Sequence, residues 1–329
     1  MKALQIVRPQ VFDLVEVAEP KLKAGDPQGR LIVQTRWVSL CGSDIPFFTG
    51  HKRHLRYPLL PGQPAHECVG QVVESNDAAF QPGDPVLAIP DADRGLAERF
   101  VAEAAKAVTL PAEAARSGSS CLIQPLSTVL NALDRVGEVA GQRVAVVGLG
   151  SIGLLFCWLL RQRGAGRIVG IDPLADRCRR AEAVGIDQAW QLSGLEAVHA
   201  VRHAERLPGW VPPDLCIEAV GHQTETVNDC LELVRKYGTV LAFGVPDQNV
   251  YAVEYEIFFR KNANLLAAVT PDWSAYLPKA RDLFLPHQAE FDAWFTHRFP
   301  IREATQAFRR YARHEDEIVK TVMDAEIWE

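Results

Sequence analysis

Ten residues constrain this chain more than any others. Val144-Ala-Val-Val-Gly-Leu-Gly-Ser-Ile-Gly153 carries an apolar strand into a G-x-G-x-x-G turn, with Gly148, Gly150 and Gly153 in register and a helix opening at Ser151 and Ile152. The first glycine makes the tight turn and the second lets backbone approach a pyrophosphate. The third packs helix against strand, and the helix N-terminus offers N–H donors and a positive dipole end. Asp172 ends the next apolar strand, 19 residues after Gly153. A carboxylate there meets the ribose hydroxyls of a dinucleotide and repels a 2′-phosphate, which points to NAD rather than NADP. Arg177, five residues on, has two readings: a guanidinium stacked on adenine, or an ordinary solvated helix position.

The turn belongs to a longer rhythm. Arg143–Val147, Arg167–Ile171, Asp214–Glu218 and Thr239–Phe243 read as apolar strands, alternating with helices over 152–163, 176–184 and 226–237. Strands apolar throughout and separated by helices predict a parallel sheet covered on both faces, hence an α/β, doubly wound unit. The first ~110 residues differ: short β-like runs (Met1–Arg8, Arg30–Val38, Glu67–Glu74, Asp84–Ile89) divided by Pro and Gly suit a small, partly open barrel. After about Val269 the rhythm stops, leaving an amphipathic helix at 302–313 and a last strand at 318–322. The stretch 192–213 reads as helix and loop without catalytic content.

Length and composition bound the rest. A chain of 329 residues suits two domains at roughly 150 residues each. With 48% apolar and 23% charged residues it is globular, and a net charge of −6 without a basic block argues against nucleic acid or an anionic membrane as partner. Seven scattered cysteines without a C-x-x-C pair argue against a disulfide framework and for a reducing, cytoplasmic setting.

Cys41-Gly-Ser-Asp44 and Pro64-Ala-His-Glu67 supply a thiolate, an imidazole and a carboxylate, the donors that a catalytic zinc takes. On spacing alone the set fits a metal site or a structural cysteine near a His-Glu pair equally well.

These segments resemble the zinc-binding medium-chain dehydrogenase/reductase family, and within it the polyol (sorbitol-type) dehydrogenase branch. The similarity runs in order through Cys41-Gly-Ser-Asp, Pro64-Ala-His-Glu, Gln81-Pro-Gly-Asp-Pro-Val, Gln124-Pro-Leu-Ser-Thr, the Gly148 turn, Glu218-Ala-Val-Gly, Phe243-Gly-Val-Pro and Thr296-His-Arg-Phe-Pro-Ile-Arg-Glu-Ala. The resemblance implies a Rossmann sheet inserted in a GroES-like barrel: a catalytic domain over 1–122, a cofactor domain over 123–268 and a return to the catalytic domain over 269–329. It implies Cys41, His66 and Glu67 as ligands of one catalytic zinc, with Gln124 in the family's fourth ligand position. Ser43 would relay the alcohol proton, and Thr128 and the Val245 backbone would face the nicotinamide. Arg298 would point to substrate hydroxyls, its alternative being a surface arginine at a strand end. The activity implied is reversible oxidation of a secondary alcohol (polyol, cyclitol or sugar-like) to a ketone with NAD, in a homo-oligomer whose subunits join through the sheet edge near Leu265–Val269.

Three departures stand out. No four-cysteine lobe follows Asp84-Pro-Val, so a structural zinc is not expected. Pro46 stands where many relatives have a proton-passing histidine, and Phe47 where polyol dehydrogenases often have a substrate-touching tyrosine. Proton release then falls to Ser43 with water, or to His51 or His54, which otherwise read as entrance-loop residues. Lys52, Arg53 and Arg56 read as a solvated loop or an attractor of acidic substrates. Phe47, Trp37 and Trp273 suggest a partly apolar pocket. The rival functions are a zinc-free enone or quinone reductase and a non-catalytic NAD-binding protein.

Overall fold

The computed structural model describes residues 1–52, 55–203, 207 and 210–328. The chain divides into two compact units, Met1–Ser127 with Asp272–Glu329, and Thr128–Pro271. His54 and Arg53 lie outside the described residues.

In the first unit, β1 (Lys2–Arg8) and β2 (Val11–Glu16) form an antiparallel hairpin. β3 (Arg30–Ser39) pairs with β4 (Glu67–Ser75), which pairs with β5 (Pro85–Pro90), and β5 with β6 (Arg99–Thr109). Because β6 also pairs back onto β3, these four antiparallel strands close into a small barrel. Closure leaves β3 buried along nearly its whole length, which explains its weak alternation and its apolar Leu31-Ile-Val33 run. The short helix α1 (Ile45–Thr49) follows β3. The 90–98 segment turns through left-handed backbone at Ala92 and Asp93.

The second unit begins within α2 (Ile123–Val136). Its strands are β7 (Arg143–Val147), β8 (Arg167–Ile171), β9 (Gln188–Trp190), β10 (Leu215–Glu218), β11 (Thr239–Ala242) and β12 (Asn264–Ala267). They lie in the order β12-β11-β10-β7-β8-β9, all parallel. The order reverses between β7 and β10, so the crevice beyond the carboxyl ends of those two strands is the place for a ligand in such a sheet. The helices between them are α3 (Ser151–Gln162), α4 (Ala175–Ala183), α5 (Gly194–Arg202), α6 (Thr226–Leu233) and α7 (Tyr255–Lys261). The predicted helix to Tyr237 ends four residues early. Arg235 N–H is taken by Pro213 O and Tyr237 N–H by Lys261 O, and Tyr237 turns to φ +57° to enter β11.

The chain then returns to the first unit with α8 (Trp273–Phe284), α9 (Gln288–Asp292), β13 (Phe295–Pro300), α10 (Ala304–Arg313) and β14 (Lys320–Asp324). β14 joins β3 antiparallel and β13 parallel. On α10 the positions Ala304, Ala307, Phe308 and Tyr311 are buried, the i, i+3, i+4, i+7 stripe of a helix docked on a core. Phe308 meets Phe12 and Phe48 with ring centroids 5.0 and 5.1 Å apart. The last strand starts two residues later than predicted, because Ile318 and Val319 donate to Glu315 O and Thr296 Oγ1 instead of to a sheet.

Candidate metal centre and nucleotide cradle

β3 delivers Cys41 two residues past its end. The single turn Gly42–Asp44 that follows folds the Asp44 carboxylate back to accept the Cys41 backbone N–H at 2.9 Å. Ser43 lies half-buried in that turn. Antiparallel pairing sets Glu67, the first residue of β4, opposite Ser39, the last of β3, and His66 precedes it. One ligand atom from each of Cys41, His66 and Glu67 lies within 4.8 Å of the others, although 25 residues separate Cys41 from His66.

The surroundings fit a bound zinc. The donor set mixes thiolate, imidazole and carboxylate, as zinc prefers. His66 Nδ1 lies 3.3 Å from Asp44 Oδ1, so the carboxylate orients the ring and leaves Nε2 as the donor atom. Burial opposes a charged His66, yet the Asp44 carboxylate and then Cys41 raise its pKa well above the ordinary histidine value. Glu67 is fully buried. Lys320, also buried, approaches its two oxygens at 2.8 and 2.6 Å and donates to Leu40 O at 2.8 Å. Ser39 Oγ donates to the same carboxylate. Burial disfavours the ammonium, but Glu67 outweighs it and raises the Lys320 pKa above its ordinary value. Glu67 thus serves a charge pair as well as the metal-ligand cluster.

Asp44, Ser39 and Lys320 had no role in the sequence reading. Lys320 left a signal: a lone cation inside the apolar run Ile318-Val-Lys-Thr-Val322. Gln124 is buried in the first turn of α2, and Thr128, also buried, lies four residues on and on the same helix face. Arg298 lies exposed on β13, opposite Val322. Trp37 is buried within β3 under the Arg36 guanidinium, and Trp273 opens α8 half-buried. Phe47 packs partly buried on the barrel core, with Lys52 Nζ 3.8 Å above its ring. Lys52 is exposed, as a solvated loop residue would be, and also caps the Phe47 ring. His51 and Arg56 are exposed.

In the second unit the three glycines separate by role. Gly148 adopts φ +92°, and a Cβ there would sit 2.8 Å from Val220 Cγ2. A Cβ on Gly153 would sit 1.9 Å from Gly148 O. The fold itself demands both glycines. Gly150 is different: a Cβ would meet nothing nearer than the Arg177 guanidinium at 3.8 Å. Packing does not require glycine there, whereas a phosphate resting on the backbone would. Gly150 is the N-cap of α3, and among the described residues no side chain caps that helix at Ser151 and Ile152. Its first N–H groups suit an anion.

Asp172 is buried at the end of β8. Oδ2 accepts Leu149 N–H at 2.8 Å and Oδ1 accepts Leu174 N–H at 2.9 Å. A carboxylate has about four lone-pair sites, so capacity for ribose hydroxyls remains. Arg177 is not a solvated helix residue. Its guanidinium is 3.5 Å from Asp172 and its side chain only 16% exposed, which corrects one of its two readings. Val245 O accepts the His222 N–H at 2.9 Å.

A closed barrel carries a Cys-His-Glu cluster fit for a metal, and a doubly wound sheet carries an uncapped glycine turn fit for a pyrophosphate, the pair of features expected of a metal- and nucleotide-dependent enzyme. Comparison with known proteins agrees. The alcohol dehydrogenase GroES-like domain matches residues 27–112 and the zinc-binding dehydrogenase domain residues 151–285. Erythritol/L-threitol dehydrogenase of Mycolicibacterium smegmatis is 26% identical, over 92% of either chain. Sorbitol dehydrogenase of Gallus gallus is 24% identical, over 87% of either chain. The structure of an alcohol dehydrogenase from Thermus sp. ATN1 superposes with TM-score 0.81 at 24% identity, covering 99% of this chain and all of that one. The chain belongs to the zinc-binding medium-chain dehydrogenase/reductase family and is similar to polyol dehydrogenases within it.

Proposed function

We propose that this protein oxidises the secondary alcohol of a polyol, cyclitol or sugar-like molecule to a ketone, reversibly, with NAD as hydride acceptor and one catalytic zinc per chain. The observation that carries the reading is the Cys41-His66-Glu67 cluster with its Asp44 and Lys320 supports. Cys41, His66 and Glu67 hold the metal, with Gln124 in the fourth position. Zinc, when bound, supplies a Lewis acid that makes an alcohol hydroxyl more acidic, and NAD supplies the hydride acceptor. Asp44 fixes the His66 ring, and Lys320 offsets the Glu67 charge. Ser43 takes the hydroxyl proton and hands it to water, since Pro46 has no proton to exchange. The Gly148 turn and the α3 N-terminus hold the pyrophosphate, and Asp172 accepts from the ribose hydroxyls. Arg177 covers the adenine side, Thr128 and the Val245 backbone face the nicotinamide, and Arg298 engages substrate hydroxyls. The catalytic role falls to 1–122 with 269–329 and the cofactor role to 123–268.

The chain also forms a homo-oligomer in this reading. β12 is an edge strand of the parallel sheet, and Asn264, Leu265 and Ala267 on it are exposed. Open strand edges of this kind pair with another chain.

Purified protein tested for zinc content, and then with polyols, cyclitols, sugars and simple alcohols against NAD and NADP, decides the matter. One zinc per chain and NAD-linked oxidation of a polyhydroxylated alcohol are expected. Absence of zinc with activity on enones or quinones would replace this reading with a reductase. Nucleotide binding without any turnover would leave a binding protein. Cys41→Ser and His66→Ala should abolish turnover and leave NAD binding largely intact.

A further inference from the structure

Glu218 has no role in the activity described so far, yet it is the most heavily hydrogen-bonded buried side chain beside the nucleotide cradle. It ends β10, the strand across the sheet's reversal point from β7. Its Cα partners are Val147, just before the Gly148 turn, and Ala242, just before Phe243-Gly-Val245. The side chain is 2% exposed. Oε1 accepts the backbone N–H of Val220 and of Gly221, each at 2.9 Å, and the hydroxyl of Thr226 at 3.0 Å. Oε2 accepts the Gly244 N–H at 3.0 Å. Among the described residues no cation pairs with it, so N–H and O–H dipoles carry its charge.

Those donors come from two separate turns. One, 219–222, follows β10, and the other, 243–245, follows β11. The turns touch backbone to backbone: a Cβ on Gly244 would lie 2.2 Å from Gly221 N, and one on Gly221, at φ +66°, would lie 2.7 Å from Val245 N. The first turn also abuts the phosphate turn, where a Cβ on Gly148 would lie 2.9 Å from the carbonyl carbon of Ala219. One carboxylate therefore clasps both turns, and the Gly148 turn leans on the first of them.

We propose that Glu218 is the positioning residue for the nicotinamide half of the cofactor, acting by locking the 219–222 and 243–245 turns so that the Val245 backbone is presented in one fixed place. This rests on the reading that Val245 faces the nicotinamide. Glu218 touches no cofactor atom itself. Its direct hydrogen bonds end at the two turns, whereas the adenosine side has its own buried carboxylate, Asp172.

Binding of NADH and of AMP, measured by calorimetry on the full chain, tests this. Glu218→Gln keeps the size but turns one acceptor into a donor facing an N–H group. It should weaken NADH by roughly tenfold, about 1.4 kcal/mol, while AMP stays within about twofold. Thr226→Val removes one of the four donors and leaves the carboxylate in place. It should weaken NADH less, in the same direction, and serves if the glutamine variant does not fold. Equal weakening of NADH and AMP would make Glu218 a general structural residue, and unchanged NADH affinity would remove the clasp; either result overturns the proposal. A wild-type protein that binds neither nucleotide would instead defeat the cofactor reading on which it rests.

Discussion

The residue types of Cys41, His66 and Glu67 left a metal site and a structural cysteine equally open, the family resemblance favoured the metal, and the groups gathered around them were not legible. Asp44 acts through a one-turn fold-back onto Cys41, and Lys320 through a buried side-chain contact with Glu67, 253 positions away, a separation that local sequence does not write. In zinc-free protein, Lys320→Met would leave the buried Glu67 carboxylate without its counter-charge, which costs on the order of 3–5 kcal/mol. Urea denaturation should show that loss, and the double variant Lys320→Met/Glu67→Met should recover much of it. The cysteines divide in the same residue-level way. Cys41 is the partly exposed one, and the other six are buried. Burial pushes the Cys157 thiol up to about 12 and Cys178 up to about 11, so neither is a ready nucleophile near neutral pH. Alkylation of the native protein followed by peptide mapping should mark Cys41 first. Added zinc should slow that reaction and removal of zinc by a chelator should restore it.

At the scale of elements, strands with strong apolar runs and helices with a clear stripe were readable, and their ends were not. The end of α6 is set by tertiary partners that take its backbone N–H groups, and the start of β14 by a local turn onto Glu315 O together with the distant Thr296 hydroxyl. The glycine turn was readable because its three positions have separate physical causes. Gly153→Ala would drive a methyl group into Gly148 O, so nucleotide binding should be lost, seen as the absence of a binding heat with NADH. The contact between α5 and α6 makes a prediction about pH. Asp229 on α6 lies against the start of α5, where a Cβ on Gly194 would be 2.4 Å from its Oδ2. Burial first, and then Glu225 and Glu254, raise its pKa from 3.8 to about 6. The folded state then holds a proton that the unfolded chain has already released. Stability falls as pH rises from about 4 through about 6, and the loss is complete above that window. Asp229→Asn should stabilise the protein at pH 8 by on the order of 1 kcal/mol and flatten that part of the profile, as thermal melts across pH will show.

At the scale of the whole molecule, a parallel sheet exposes β12 along one edge, and Leu265, 39% exposed, marks it. Leu265→Lys should lower the mass measured by sedimentation from oligomer to monomer; an unchanged mass would place the interface elsewhere. Among the described residues no helix is long and apolar enough to cross a membrane. Sequence alone determined the α/β class, the glycine turn with its acidic partner, and the metal donor types, because periodicity, turn chemistry and ligand chemistry are local properties. Only the tertiary structure decided that β6 closes on β3, that Lys320 answers the Glu67 charge, that Arg177 turns inward to Asp172, and that Glu218 ties two turns together. Each depends on groups brought together from distant parts of the chain, and the free energy of such contacts exists only once the fold has excluded water from between them.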